Sequence, residues 1–181
     1  DPEAIQHKWN LFLELMRWTE GGSCRHDAIL RYFGDEEETL SGCGRCDVCM
    51  AIAEGGEQDP ETVSLTVRKA LSAVARTNGR FGIQVAANLL RGFTGDERLS
   101  WSGLDQSPTF GALEGRSQEW LLKLLRRCVT AGWLNFTGDQ RPLVVLTEEG
   151  RAVMRGDLPV RLLLPPEKEP GGNRKTVAGP G

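Results

Sequence analysis

The heptapeptide CGRCDVC, Cys43 to Cys49, sets three thiols two residues apart, and a fourth, Cys24, stands upstream at the head of CRHDAILRYFG. The resulting spacing, C-x18-C-x2-C-x2-C, constrains this chain more than any other feature. Four thiolates match the ligand demand of a structural zinc ion, which takes tetrahedral sulfur at about 2.3 Å. Cys24 can reach the cluster. A helix from Cys24 to Phe33 advances about 15 Å at 1.5 Å per residue, and the segment from Gly34 to Gly42 can extend roughly 30 Å back. Cys24 at a helix start has its thiolate favoured by the helix dipole, and Arg25 and Arg45 can offset the charge of a four-thiolate site.

Two rival uses of the thiols remain open on spacing alone. Disulfides would require a secreted protein, yet no signal pattern precedes the cluster, and three thiols this close pair poorly. An iron–sulfur cluster would suit C-x2-C-x2-C, but the fourth Cys-Pro of the bacterial ferredoxin run is missing: Met50-Ala51-Ile52-Ala53 follows Cys49. Four protein ligands also leave no open position, so the role of a zinc ion here would be structural. The fifth thiol, Cys128, shares a helix face with Leu121, Leu124 and Leu125 and is expected in the core. His7 and His26 read as helix-surface residues.

Along the chain, residues 4–18 have amphipathic helical spacing, and Cys24 to Phe33 form a second helix ended by Gly34. The composition of EGGEQDPE, 54–61, marks a linker. This divides the chain into a helical zinc-binding subdomain over 1–59, a second domain over 60–164 and a flexible tail over 165–181. In the second domain, helices are expected over Ser64 to Thr77, Ile83 to Arg91 and from Ser117 to Gly132, with a long loop from Phe93 to Arg116. WLNF and PLVVL then make a hairpin, and Thr147 caps a last helical turn. Three helices followed by a β-hairpin are the winged-helix arrangement, so the fold class is mainly α with a small β element.

Net charge is −3, but it is unevenly spread. Residues 64–164 hold 14 Lys and Arg against 9 Asp and Glu, while the remainder holds 8 against 16. A basic module beside an acidic one points to phosphate contacts that the overall charge hides. The third winged-helix helix turns Lys123, Arg126, Arg127 and Thr130 away from its leucines, and Arg116 and Ser117 stand at its start. Backbone N–H groups there suit a phosphate oxygen, and Arg141 lies on the wing. Arg80, Arg91 and Arg98 could widen this DNA-binding surface. The wing tip, TGDQRP, carries no aromatic wedge, and Trp133 and Phe136 are expected to pack beneath the wing.

No apolar run approaches the roughly 18 residues of a membrane span. A soluble cytoplasmic protein without a membrane partner is expected. The chain opens on DPEAIQHKW without an initiator Met, which suggests part of a longer protein.

These pieces in this order resemble the C-terminal half of RecQ-family DNA helicases, over about residues 5–164. The most specific passage is CRHDAILRYFGDEEETLSGCGRCDVC, which is similar to the family's C-R-x4-L-x-Y-F-G start followed by C-G-x-C-D-x-C. LLRG, SQEW and LTEEGRAVMRGD are similar to its winged-helix landmarks. The resemblance implies that Cys24, Cys43, Cys46 and Cys49 bind one zinc ion. It also implies a full-length protein that unwinds DNA 3′ to 5′ with ATP and Mg²⁺, in repair and recombination at the nucleoid. This chain carries no G-x4-G-K-[ST], and GGNRKT has the wrong glycine spacing. The motor would therefore lie before Asp1 and form the partner of these modules in the same chain. In bacterial relatives the winged helix also receives the acidic tail of the single-stranded DNA-binding protein. A zinc-containing winged-helix transcription regulator is the alternative function.

Overall fold

A computed structural model describes residues 7–8, 11–12, 15, 21–35, 42–54, 59–137 and 142–166. Most of the expected first helix, the acidic loop before Cys43, half of the 54–61 linker, the wing tip with Arg141 and nearly all of the tail lie outside the described residues. Residues 7–8, 11–12 and 15 are helical, and His7 and His26 are exposed. Two short helices follow: α1, Arg25–Tyr32, and α2, Asp47–Ala53. Helix α2 occupies the stretch after Cys46 that the sequence reads only as a thiol turn. No described helix is long and apolar enough to cross a membrane.

The second module begins with α3, Pro60–Thr77, four residues earlier than the Ser64 start expected from the sequence. Asp59 accepts from the Thr62 N–H at 2.9 Å and Pro60 occupies the first turn, where its missing N–H costs nothing. Val63, Val67, Ala70, Leu71 and Val74 recur at helical spacing and are buried. The helix stops at Asn78, whose φ of +49° gives it a left-handed cap. Helix α4, Ile83–Arg91, ends at Gly92 with φ +70°. A Cβ on Gly92 would come within 3.1 Å of Gly111, because the following loop folds back there to bond the end of α4.

That loop is more ordered than its Gly, Ser and Thr content suggests. It contains α5, Glu97–Trp101, capped by Asp96, and a 3-10 turn at Leu104–Gln106. Helix α6, Gln118–Thr130, follows, with the Ser117 hydroxyl accepting from Trp120 N–H at 3.2 Å. Strands β1, Leu134–Thr137, and β2, Leu143–Leu146, pair antiparallel from Leu134 opposite Leu146 to Thr137 opposite Leu143. The Phe81 carbonyl accepts from Val144 N–H at 3.0 Å, fastening the α3–α4 turn beside the hairpin. Helix α7, Glu148–Arg155, starts at Thr147, which caps Gly150 and donates to the Gly132 carbonyl at 2.7 Å.

Leu71, Leu89, Leu90, Leu121, Leu124, Leu125, Leu134 and Val144 meet in one core with no appreciable exposure. Burying one such leucine stabilises the fold by about 1.5–3 kcal/mol. Trp133 is buried, and Phe136 packs on the core's edge beneath the hairpin, as the sequence suggests. Cys128 is fully buried among the leucines. The chain after α7 does not leave the body at once. Leu162, Leu164 and Pro165 are buried, and Trp120 Nε1 donates to the Pro165 carbonyl at 2.8 Å. Packing against the body thus reaches as far as Pro165.

Candidate metal centre and its junction with the winged helix

Cys24, Cys43, Cys46 and Cys49 converge so that their sulfurs all lie within 4.8 Å of one another. All four are free thiols. The local structure explains the convergence. Cys24 stands just before α1 and Cys46 just before α2, so two helix starts face one point. The next residue of each helix closes the pairing: Arg25 holds Asp47 with Nε and Nη2 at 2.6 and 2.8 Å from the two carboxylate oxygens. Gly42 and Gly44, with φ +77° and +67°, supply the left-handed backbone that turns Cys43 inward.

Backbone N–H groups point at the sulfurs. Cys43 N–H donates to Cys24 Sγ at 3.3 Å, and Cys46 N–H and Arg45 N–H donate to Cys43 Sγ at 3.3 and 3.4 Å. Cys49 N–H donates to Cys46 Sγ at 3.4 Å. These donors favour thiolates, whereas burial favours thiols, and the four groups divide accordingly. Burial pushes Cys24 up to about 12 and raises Cys49. The N–H groups of Arg45 and Cys46 lower Cys43. Burial opposes ionisation of Cys46 too, but backbone donors from Arg25 and Cys49 and the neighbouring thiols outweigh it and bring it to about 6.

A tetrahedral ion with 2.3 Å bonds to sulfur needs ligand atoms about 3.8 Å apart. A set of free sulfurs within 4.8 Å of one another meets that demand with a small contraction, and the donor set fits zinc. Cys24, Cys43, Cys46 and Cys49 would hold it. The ion would act as a crosslink between the two helix starts, and the chain's own N–H donors would spread the charge of the sulfurs. His7 and His26 take no part in the cluster.

The sequence does not reveal how this centre is attached. Arg161, far along the chain, lies against it: a Cβ on Gly42 would meet Cys49 Sγ at 3.1 Å and Arg161 Nη2 at 3.4 Å. Gly22 and Leu163 pair through a backbone bond, Leu163 N–H to Gly22 O at 2.9 Å. Arg31 of α1 grips Glu149 of α7 with a bidentate fork at 2.8 and 3.1 Å, its guanidinium lying where a side chain on Gly132 would stand. No spacing rule links residues this far apart.

The expected DNA contacts divide. Arg116 lies over the Trp120 ring, 4.6 Å from its centroid, beside exposed Ser117 at the start of α6. Arg91 reaches Gln118 at 3.4 Å and lies over Phe93. Lys123 pairs with Glu119 at 3.3 Å on the half-exposed face, and Arg126, three residues on, is half-buried. Arg127 lies elsewhere. Its chain packs on Gly22 and its Nη1 donates to the Leu163 carbonyl at 2.7 Å, so it belongs to the junction between modules. Thr130 is likewise buried, not exposed. The helical wheel of α6 separates leucines from cations, but a second module covers part of the polar side.

Comparison with known proteins agrees with this architecture. Residues 60–170 match the RQC domain model and residues 1–50 the RecQ zinc-binding model. The chain belongs to the RecQ family. It is 24% identical over 151 residues to the ATP-dependent DNA helicase RecQ of Pasteurella multocida, covering 82% of this chain and 22% of that protein. The corresponding protein of Haemophilus influenzae is 24% identical over 163 residues, covering 88% of this chain and 24% of that protein. The chain thus spans under a quarter of the length of these RecQ relatives.

Proposed function

We propose that this chain is the structural and DNA-binding region of a RecQ-type, ATP-dependent 3′ to 5′ DNA helicase, gripping duplex or forked DNA in repair and recombination. One zinc ion, held by Cys24, Cys43, Cys46 and Cys49, makes the helical module rigid. Arg116, Ser117, Lys123, Arg126 and Arg141 offer donors to duplex phosphates, and Arg91 broadens the surface at the start of α6. A helicase core elsewhere in the same protein would use ATP and Mg²⁺, and the acidic tail of a single-stranded DNA-binding protein is a further partner. The setting is the bacterial cytoplasm, at the nucleoid.

The observation that carries this reading is the convergence of four free thiols, mutually within 4.8 Å, in a module bolted to a winged helix. Zinc binding of order 10 kcal/mol would stabilise two short helices that have little core of their own. The test is Cys46→Ser, with zinc content, folding and affinity for forked, tailed and blunt duplexes of randomised sequence measured together. Loss of metal and fold, with wild-type preference for forked or tailed DNA, is the expected result. A folded, zinc-free variant with full DNA affinity would overturn the platform role. Tight binding confined to one base sequence would favour a transcription regulator instead.

A further inference from the structure

Trp101 is the last residue of α5, and 68% of it is exposed, whereas Trp120 and Trp133 are almost wholly buried. It is not a loosely hanging side chain. Its ring meets Phe81 in an edge contact with centroids 5.7 Å apart and planes at 64°. Phe81 is itself buried and anchored through its carbonyl to β2. The Phe81 ring also carries the Arg80 guanidinium, 5.5 Å from its centroid. Arg80 and Trp101 therefore flank one fixed aromatic ring.

A second cation stands on the same helix. Arg98 precedes Trp101 by three residues, a spacing that places both on one side. Its guanidinium is oriented by the buried Asp96 carboxylate, at 2.8 and 2.9 Å. About half of the Arg98 side chain stays open to solvent. Glu97 and Ser100, both exposed, are the polar neighbours on this helix, and the Trp101 indole N–H has no acceptor among the described residues.

Single exposed hydrophobics are ordinary on protein surfaces. Three properties separate this one: a large flat ring, an edge contact with a buried ring, and arginines on its own helix and on the ring it touches. An exposed indole that rests against a buried ring has already lost part of the rotamer freedom that binding would otherwise cost. Flat rings among cations are what unpaired bases and their phosphates recognise, because every base has a face to stack and stacking tolerates any sequence. Paired bases inside a duplex offer no such face.

We propose that Trp101 is a stacking platform for an unpaired nucleic-acid base, with Arg80 and Arg98 receiving the neighbouring phosphates. This rests on the DNA-binding reading and adds to it a single-strand contact carried by α5 rather than by the wing, whose tip sequence carries no aromatic.

The experiment compares wild type, Trp101→Ala and Trp101→Phe as full chains. The probes are a labelled thymidine 15-mer and an abasic 15-mer of the same length and charge, read by fluorescence anisotropy, with thermal melting as the fold control. Trp101→Ala should weaken thymidine binding roughly fivefold or more and leave the abasic strand unchanged, while Trp101→Phe keeps most of the affinity. Equal losses on both strands, or no loss on either, overturn the platform; the latter would leave Trp101 to a protein contact. A wild type that binds the abasic strand as tightly as thymidine overturns the platform alone. A wild type that binds neither overturns the nucleic-acid reading along with it.

Discussion

Arg31 and Glu149, 118 residues apart, form a two-pronged ion pair in which each side chain is about 30% exposed. It joins the helix that follows Cys24 to the helix that follows the β-hairpin, so the metal centre and the winged helix share a load. Partial burial makes this pair worth more than a solvated one, since water screens it less. Arg31→Ala and Glu149→Ala should show a coupling energy of about 1–2 kcal/mol in a denaturant double-mutant cycle. Gly132→Ala should also destabilise, by at least about 1 kcal/mol, because φ is +81° there and the new Cβ would occupy the place of the Arg31 guanidinium.

The five cysteines should separate sharply by role. Any of Cys24, Cys43, Cys46 or Cys49 changed to Ser leaves three sulfurs where four converge, and zinc measured by elemental analysis should fall well below one equivalent. Cys128→Ala should keep its metal in full. It removes one sulfur from a site with no exposure, and thermal unfolding should register a loss of about 1 kcal/mol. Metal loss on Cys128→Ala would mean that the four-thiol cluster is not the whole site.

Local chemistry was legible in the sequence and long-range chemistry was not. The C-x2-C-x2-C run, the Ser117 and Thr147 caps, the Cys128 face and the hairpin all follow from neighbours within a few positions. Helix α5 escaped because five residues inside a Gly- and Ser-rich stretch give no periodicity to read, and its Asp96 cap resembles any loop aspartate. Helix α2 escaped because its residues follow a thiol turn too closely to show a pattern of their own. The junction contacts of Arg127 were hidden for a different reason: a helical wheel knows which residues are polar, but not that Gly22 and Leu163 will lie against one of them. The same ignorance hid Arg161 and Pro165.

Asp96 gives a prediction about pH. Its carboxylate is buried, accepts from Arg98 and from Asn88 Nδ2 at 2.9 Å, and through Asn88 connects to Gln118 at the start of α6. The Arg98 hydrogen bonds hold its ionisation below the usual carboxylate range, against the opposing effect of burial. The unfolded chain therefore takes up this proton first, near the ordinary value of about 3.9. The stabilisation is complete above that value and disappears as pH falls through the lower folded value. Asp96→Asn should cost about 1–3 kcal/mol at neutral pH, and the gap to wild type in urea unfolding should close below about pH 4. A gap that stays constant to pH 2 would show that the charge of Asp96 is irrelevant to stability.

Neighbouring cations of α6 should respond to substitution in opposite ways. Lys123 is half-exposed and pairs with Glu119 in an i,i+4 contact, so Lys123→Ala should barely move the melting temperature. If it meets a phosphate, the slope of log affinity against log salt should shrink by about 0.9. Arg127 stacks its chain on Gly22 and donates to the Leu163 carbonyl, so Arg127→Ala should lower stability by about 1–3 kcal/mol through the carbonyl left unpaired. Its salt slope on duplex DNA should match wild type under conditions where the variant stays folded. A reduced slope for Arg127→Ala with unchanged stability would return that residue to the DNA surface and loosen the junction inferred from it.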